Sequence, residues 1–359
     1  MRDTCFIPVD EWQARTRRLL ERLKDGGEVV VAEGYGFEFE RRGRLKAGPF
    51  VPEIVLERPD LVRGLHEEFV DAGSDVVLAF TYYAGREHMK GIGKESLLEN
   101  ININALKIAR EVADATGTLM AGDICNTLVY EKNNQEAIER TKLMFKEQVE
   151  WAADNGADYI VAETFCELGE ALLALKAIKT YGKGLPAVVT ITPKTNDLTF
   201  DGVPYHEVGR KLEEAGADVV GFNCGQGPGT IIPLIRRIKQ AVKCPIAALP
   251  VVYRTTPEQP NFLTLIDPVT GKRSFPLHLS AVACSRDEIY EFARSAKELG
   301  VQYIGLCCGN ASHYMRVVSE VYGRKPPSSK YSPDMEHMYC LPDQSEFYKT
   351  HAEKMKKYT

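Results

Sequence analysis

The chain has 359 residues, of which 44% are hydrophobic and 26% charged, a composition that is ordinary for a globular protein and excludes a disordered or fibrous one. Its net charge of −5 gives no electrostatic reason to expect nucleic acid as a partner. The uncharged apolar runs are far shorter than the ~20 residues that span a bilayer, and the first residues lack the apolar core of a signal peptide. We therefore expect neither nucleic acid nor a membrane as a partner.

Nine cysteines are spread along the chain from Cys5 to Cys340. An odd number without an export signal is unlike a disulfide framework and is typical of thiols kept reduced by the cytosolic glutathione pool. The cysteine content therefore predicts a cytoplasmic protein.

Short apolar runs rich in β-branched residues recur along the chain. There are eight of them, at residues 28–32, 75–81, 118–122, 158–163, 187–192, 218–223, 245–250 and 302–307. Long amphipathic stretches separate them, which is typical of parallel strands buried on both faces with crossover helices between them. Four runs follow a glycine suited to a helix C-terminus, at Gly73, Gly156, Gly216 and Gly300.

The repeated βα unit predicts an α/β protein built as a single (β/α)₈ TIM barrel over residues 1–325. An open doubly wound sheet is disfavoured because no glycine-rich phosphate loop follows the first strand. We expect residues 326–359 to form a short C-terminal extension, helical over 343–357, that serves as a cover or an oligomer contact.

Three cysteines lie at predicted strand ends. Cys224 ends the sixth strand, and Cys307 with Cys308 ends the eighth. The carboxyl ends of barrel strands point into one mouth, and three thiolates with an open fourth position are typical of a catalytic zinc site. The alternative is that these thiols only pack in the core. The other cysteines lack such a position and are interpreted as structural (Cys5, Cys125, Cys166, Cys244, Cys284 and Cys340).

Gly-Phe-Asn-Cys-Gly at 221–225 and Gly-Leu-Cys-Cys-Gly at 305–309 resemble the two signatures of the homocysteine S-methyltransferase family. The similarity extends from about residue 22 to about residue 325 and includes the segments 46–49, 80–84 and 160–163. These segments are most similar to the betaine-homocysteine S-methyltransferase branch. The resemblance implies a zinc-dependent barrel enzyme that moves a methyl group to the sulfur of homocysteine and makes methionine, with Cys224, Cys307 and Cys308 as the Zn²⁺ ligands.

Two carboxylates are expected at the same mouth, because Glu33 follows the first strand and Glu163 ends the fourth. The resemblance implies that they bind the ammonium group of the substrate. The alternative for each is a salt bridge to a Lys or Arg side chain. The chain departs from the family pattern at Glu33, where the family usually has Asp.

Aromatic residues follow the first two strands and supply faces for a positively charged methyl donor through cation–π attraction: Phe50, Phe80, Tyr82 and Tyr83. Phe80 and Tyr82 are also explained as core residues. The resemblance implies a donor-binding role for Tyr83. Phe50 stands where the betaine branch has Trp, and Thr164 stands where it has Tyr.

Other polar residues at strand ends are weaker candidates, because loop polar residues are frequent and no spacing singles them out. They are Asp123, Asn126 and Asn223, together with Tyr253 after the seventh strand.

The sequence thus predicts a homocysteine S-methyltransferase that uses zinc and a small onium donor, with betaine as the first choice. S-methylmethionine or S-adenosylmethionine is the rival donor. The alternative from another class of protein is a non-catalytic barrel that stores zinc or senses the redox state. The expected partners are small molecules, and the formation of a homo-oligomer is left open.

Overall fold

A computed structural model describes residues 18–194 and 197–338, together with residues 350, 353 and 354. Within these residues, eight parallel strands close a barrel in sequence order, with β8 paired to β1. The strands are β1 (Val29–Ala32), β2 (Val76–Leu78), β3 (Leu119–Ile124), β4 (Tyr159–Phe165), β5 (Ala187–Ile191), β6 (Val219–Asn223), β7 (Ile246–Leu249) and β8 (Tyr303–Leu306). The predicted TIM barrel and all eight predicted strands are confirmed.

Helices surround the barrel between successive strands. They are α1 (Tyr35–Arg41), α2 (Ile54–Glu57), α3 (Pro59–Asp71), α4 (Arg86–Gly91), α5 (Leu98–Thr116), α6 (Gln135–Asp154), α7 (Leu168–Tyr181), α8 (Tyr205–Glu214), α9 (Pro228–Lys239), α10 (Arg286–Glu298) and α11 (Ser312–Val321). A further helical segment over 18–23 precedes β1. The four glycines predicted at helix C-termini all have positive φ, between 71° and 103°, where a Cβ atom would be strained.

The strands are buried on both faces, as expected when helices cover the outside and side chains fill the inside. Inside the barrel, the hydroxyl groups of Tyr159 and Tyr303 lie 3.0 Å apart and satisfy each other. The interior below the mouth is therefore packed, and the open end of the strands is the place for a site.

The region after α11 contains two short 3₁₀ helices, Pro327–Tyr331 and Met335–His337. Arg324 anchors the chain there by binding the carboxylate of Asp75 and, at 2.9 Å, the carbonyl of Glu28. Most of the helix predicted over 343–357 lies outside the described residues, as do Cys5 and Cys340. The boundary at 325 and the role of the extension stay predictions. In the described part of the chain, no helix is long and apolar enough to cross a membrane.

Candidate active site

The mouth of the barrel brings the three predicted cysteines together. The Cys224 N–H donates to the carbonyl of Leu249 at 2.9 Å, and the Cys307 N–H donates to that of Pro250 at 2.8 Å, so both cysteines extend the ladder beyond their strands. A Cβ atom on Gly34 would lie 2.3 Å from the carbonyl oxygen of Cys307. Only glycine fits at that position, and it lets the β1 loop lie directly against the thiols.

The sulfur atoms are spaced as a tetrahedral metal site requires. The Sγ atoms of Cys224 and Cys308 are 3.5 Å apart, those of Cys307 and Cys308 are 3.9 Å apart, and all three lie within 4.8 Å of one another. Zinc–sulfur bonds of 2.3 Å in a tetrahedron place the sulfurs about 3.8 Å apart. The three thiols therefore fit a zinc ion with one position open.

The thiols also interact electrostatically. Hydrogen bonds from Cys307 and Cys308 hold the pKa of Cys224 well below its usual range. The hydrogen bond to Cys224 in turn raises the pKa of both Cys307 and Cys308 well above the usual value. Three thiolates at this distance repel one another, so full ionisation of the set calls for a cation between them.

Two carboxyl groups predicted for the site lie beside the thiols. One ligand atom each from Glu33, Glu163 and Cys307 lies within 4.8 Å of the others. Burial raises the pKa of Glu33 well above its ordinary value, and the charges of Glu163 and Asp123 raise it further. Burial also raises the pKa of Glu163, to about 7, against hydrogen bonds from Thr164 and Asn223. Among the described residues no Lys, Arg or His forms an ion pair with either glutamate, which argues against the salt-bridge alternative.

The side-chain amide of Asn223 connects the two glutamates through hydrogen bonds. Its Nδ2 donates to Glu163 Oε2, to Thr164 Oγ1 at 2.8 Å and to Glu33 Oε2 at 3.4 Å. Its Oδ1 accepts from the Thr164 backbone N–H at 3.0 Å and from Thr190 Oγ1 at 2.9 Å. Asn223 is fully buried, so it fixes the positions of two carboxyl groups and of the backbone near the end of β4.

A cavity of about 60 Å³ lies over the thiols. Its walls include residues that were discussed above or predicted for the site: Gly34, Phe80, Tyr82, Tyr83, Asp123, Glu163, Thr164, Cys224, Cys307 and Cys308. Tyr83 lies edge-on to Tyr82 at 4.6 Å between ring centroids. Phe80 lines the cavity and also stacks on Phe39 at 5.5 Å, so the core and site interpretations both describe it.

Phe50 is the predicted aromatic residue that does not line this cavity. Its ring stacks against Phe37 at 5.0 Å and against Tyr83 at 5.8 Å. Phe37 lines the cavity, so Phe50 supports two site residues from behind. A direct contact between Phe50 and a donor stays a prediction.

Some site residues were missed or undervalued from the sequence. Tyr35 and Phe37 line the cavity, although nothing in their spacing distinguishes them from core residues. Asp123 and Asn223 are buried at the mouth, and their position at or just before the end of a strand was the available signal. Asn126 lies further out and donates to the Tyr82 hydroxyl at 3.2 Å. Tyr253 stacks on Phe262 outside the cavity wall, at 5.6 Å.

Comparison with known proteins places this geometry in a family. The homocysteine S-methyltransferase family profile matches residues 29–322. The chain is 35% identical to betaine–homocysteine S-methyltransferase 1 of Mus musculus, over 90% of this chain and 80% of that protein. It is also 35% identical to S-methylmethionine–homocysteine S-methyltransferase BHMT2 of Pongo abelii, over 88% of this chain and 85% of that protein.

The fold is similar to that of the homocysteine methyltransferase MmuM from Escherichia coli in its metallated form. The TM-score is 0.67 at 17% identity, covering 85% of this chain and 99% of that one. The closed barrel with its cysteine-lined mouth, together with the family match and the relatives at 35% identity, defines a barrel methyltransferase that acts on a thiol. The chain belongs to the homocysteine S-methyltransferase family, and it is an enzyme of that type.

Proposed function

We propose that the protein uses zinc, held by Cys224, Cys307 and Cys308, to transfer a methyl group from a small onium donor to homocysteine. The observation that carries this proposal is the spacing of the three sulfur atoms, which matches the edges of a zinc tetrahedron. When bound, zinc lowers the pKa of a coordinated thiol and so supplies a thiolate near neutral pH.

The residues of the chain bind and orient the two substrates. Glu33 and Glu163 hold the ammonium group of homocysteine, since both are buried and neither has a cationic partner in the described residues. Tyr82 and Tyr83 line the cavity and offer aromatic faces to the charged methyl group of the donor. The two substrates displace water from the cavity when they bind, so the thiolate meets the methyl carbon without competition from solvent.

The transfer is a displacement at the methyl carbon. The sulfur–carbon bond forms while the bond from the methyl group to the donor nitrogen or sulfur breaks, and the electron pair of that bond stays on the leaving atom. Betaine and S-methylmethionine both provide such a methyl group. A reducing compartment such as the cytoplasm suits the reaction, because the three thiols must stay unoxidised.

The metal site is tested by comparing Cys307→Ala with Cys284→Ala. Cys284 is an equally buried thiol that does not line the cavity, so the two variants lose the same atom at different places. We expect about one zinc per chain in the wild type and in Cys284→Ala, and loss of both zinc and transfer in Cys307→Ala. Full activity of Cys307→Ala would refute the zinc assignment.

The donor is tested by incubating the zinc-loaded enzyme with homocysteine and, in turn, betaine, S-methylmethionine and S-adenosylmethionine under reducing conditions. Methionine from at least one donor is the expected result. If the protein binds zinc but makes no methionine from any of the three, the non-catalytic storage or sensing barrel replaces the proposed function.

A further inference from the structure

A third carboxyl group, that of Asp123, lies at the mouth of the barrel beside the two glutamates. Asp123 is 5% exposed, Glu163 4% and Glu33 1%. Asp123 and Glu163 line the same cavity, and Glu33 lies next to Glu163. Burial raises the pKa of Asp123 well above its ordinary value, and the charge of Glu163 raises it further. The three groups thus form one buried carboxyl cluster.

Within the described residues, the protein satisfies this cluster only in part. Asn223 and Thr164 supply hydrogen bonds to Glu163, and Asn223 also reaches Glu33 Oε2. Two buried oxygens, Glu33 Oε1 and Asp123 Oδ1, have no hydrogen-bond partner. Among the described residues, no basic side chain pairs with Asp123. Buried carboxyl oxygens without partners are costly, so these two atoms indicate a ligand that donates hydrogen bonds to both.

The chemistry of the cluster limits the class of ligand that it binds. A primary ammonium group has three N–H donors, one for each carboxyl group, and its positive charge offsets theirs. A trimethylammonium group has no N–H donor and is held by aromatic faces instead. A calcium ion takes six to eight oxygen ligands, and two of the six carboxyl oxygens of this cluster already accept hydrogen bonds from Asn223.

We propose that Asp123 is the third acceptor of a primary-ammonium subsite, together with Glu33 and Glu163, and that it makes the enzyme select thiol acceptors with an unsubstituted amino group. The identity of this acceptor as homocysteine rests on the proposed function. Asp123 is therefore a specificity-determining residue, and removal of its charge weakens only ligands that carry the amino group.

The test compares Asp123→Asn with Glu170→Gln. Glu170 is also buried, but its carboxylate binds the N–H and the hydroxyl of Thr127 and does not line the cavity. Binding to the zinc-loaded proteins is measured by calorimetry with L-homocysteine and with 4-mercaptobutanoate, which has the same chain without the amino group. We expect Asp123→Asn to weaken homocysteine binding about 10- to 100-fold, the scale of one charged hydrogen bond, and to leave 4-mercaptobutanoate unchanged. Glu170→Gln should change neither.

If Asp123→Asn binds both ligands more weakly and by the same factor, Asp123 has a structural role. If the affinity for neither ligand changes, Asp123 does not contact the ligand. Both outcomes overturn the proposal. Loss of a second equivalent of bound metal in Asp123→Asn would overturn it in favour of a cation site. If Asp123→Asn does not fold, the wild type is titrated with N,N-dimethylhomocysteine. Its affinity should fall about 10-fold or more below that of homocysteine, and equal affinity would again overturn the proposal.

Because binding is measured without turnover, the two proposals fail separately. A protein that shows this amino-group preference but transfers no methyl group refutes the proposed function and retains the subsite. A protein that methylates homocysteine but binds both thiols equally refutes the subsite and retains the function.

Discussion

Replacement of Asn223 by alanine should destabilise the barrel far more than the loss of one ordinary polar side chain. The amide contacts five groups: Glu33, Glu163, the hydroxyl of Thr164, the backbone N–H of Thr164 and the hydroxyl of Thr190. Thr190 and Asn223 are both fully buried, so water does not replace the lost contacts without entering the barrel.

The magnitude follows from the donors that are left unpaired. The N–H of Thr164 and the O–H of Thr190 each lose their acceptor in Asn223→Ala, and a buried polar group without a partner costs about 1–3 kcal/mol. The missing amide volume adds a cavity. The expected loss is about 3–5 kcal/mol, a large share of the about 5–15 kcal/mol that stabilises a typical domain.

The assay is urea-induced unfolding of the zinc-free protein followed by circular dichroism, so that metal binding does not contribute to the measured stability. Asn126→Ala is the matched control, because the one side-chain hydrogen bond that Asn126 makes to the described residues is to the Tyr82 hydroxyl, at 3.2 Å. It should cost about 1 kcal/mol. Equal costs for Asn223→Ala and Asn126→Ala would refute the idea that Asn223 organises the mouth.

Three further changes test other contacts. Glu163→Ala should raise the homocysteine KM about 10- to 100-fold in steady-state assays, since it removes one side of a desolvated charge pair, and an unchanged KM would contradict the ammonium assignment. Tyr83→Ala should raise the donor KM about fivefold, the scale of one cation–π contact, whereas Tyr83→Phe keeps the aromatic face and should not. Asp201 accepts hydrogen bonds from Thr199 and from the N–H groups of Leu168 and Gly169, which outweigh the effect of burial and lower its pKa. The stability that Asp201 contributes should therefore be present above about pH 4 and be lost as the pH falls through the lowered pKa. Urea unfolding from pH 3 to 7 checks this: the difference in the free energy of unfolding between the wild type and Asp201→Asn should shrink at the acid end.

The barrel and the thiol cluster could be predicted from the sequence because both follow from periodicity and chain direction. The apolar runs mark the strands, and parallel strands in a closed barrel bring their carboxyl ends to one face. This direction predicts that Cys224, after β6, and Cys307, after β8, lie at the same mouth. The fixed direction of the strands makes that conclusion independent of the loops.

The arrangement of the aromatic and polar groups could not be predicted in the same way. Phe50 packs against Phe37 of α1 and against Tyr83 of the loop after β2, and no local pattern encodes that packing. Asp123 and Asn223 were two of several polar residues near strand ends. Their importance depends on the side chains of neighbouring strands that face them, such as Glu163 on β4.

The backbone around the site shows why Asn223 is buried there. Phe50, Tyr83, Thr164 and Cys224 all have positive φ, between 51° and 65°, a region that costs L-residues about 1–2 kcal/mol each. Thr164 is the least expected of the four, because a β-branched residue rarely adopts this conformation. Its backbone N–H and its hydroxyl both bond to Asn223. The amide that holds the carboxyl cluster therefore also holds the strained residue near the end of β4, so the acceptor site and the backbone that presents it depend on the same hydrogen bonds.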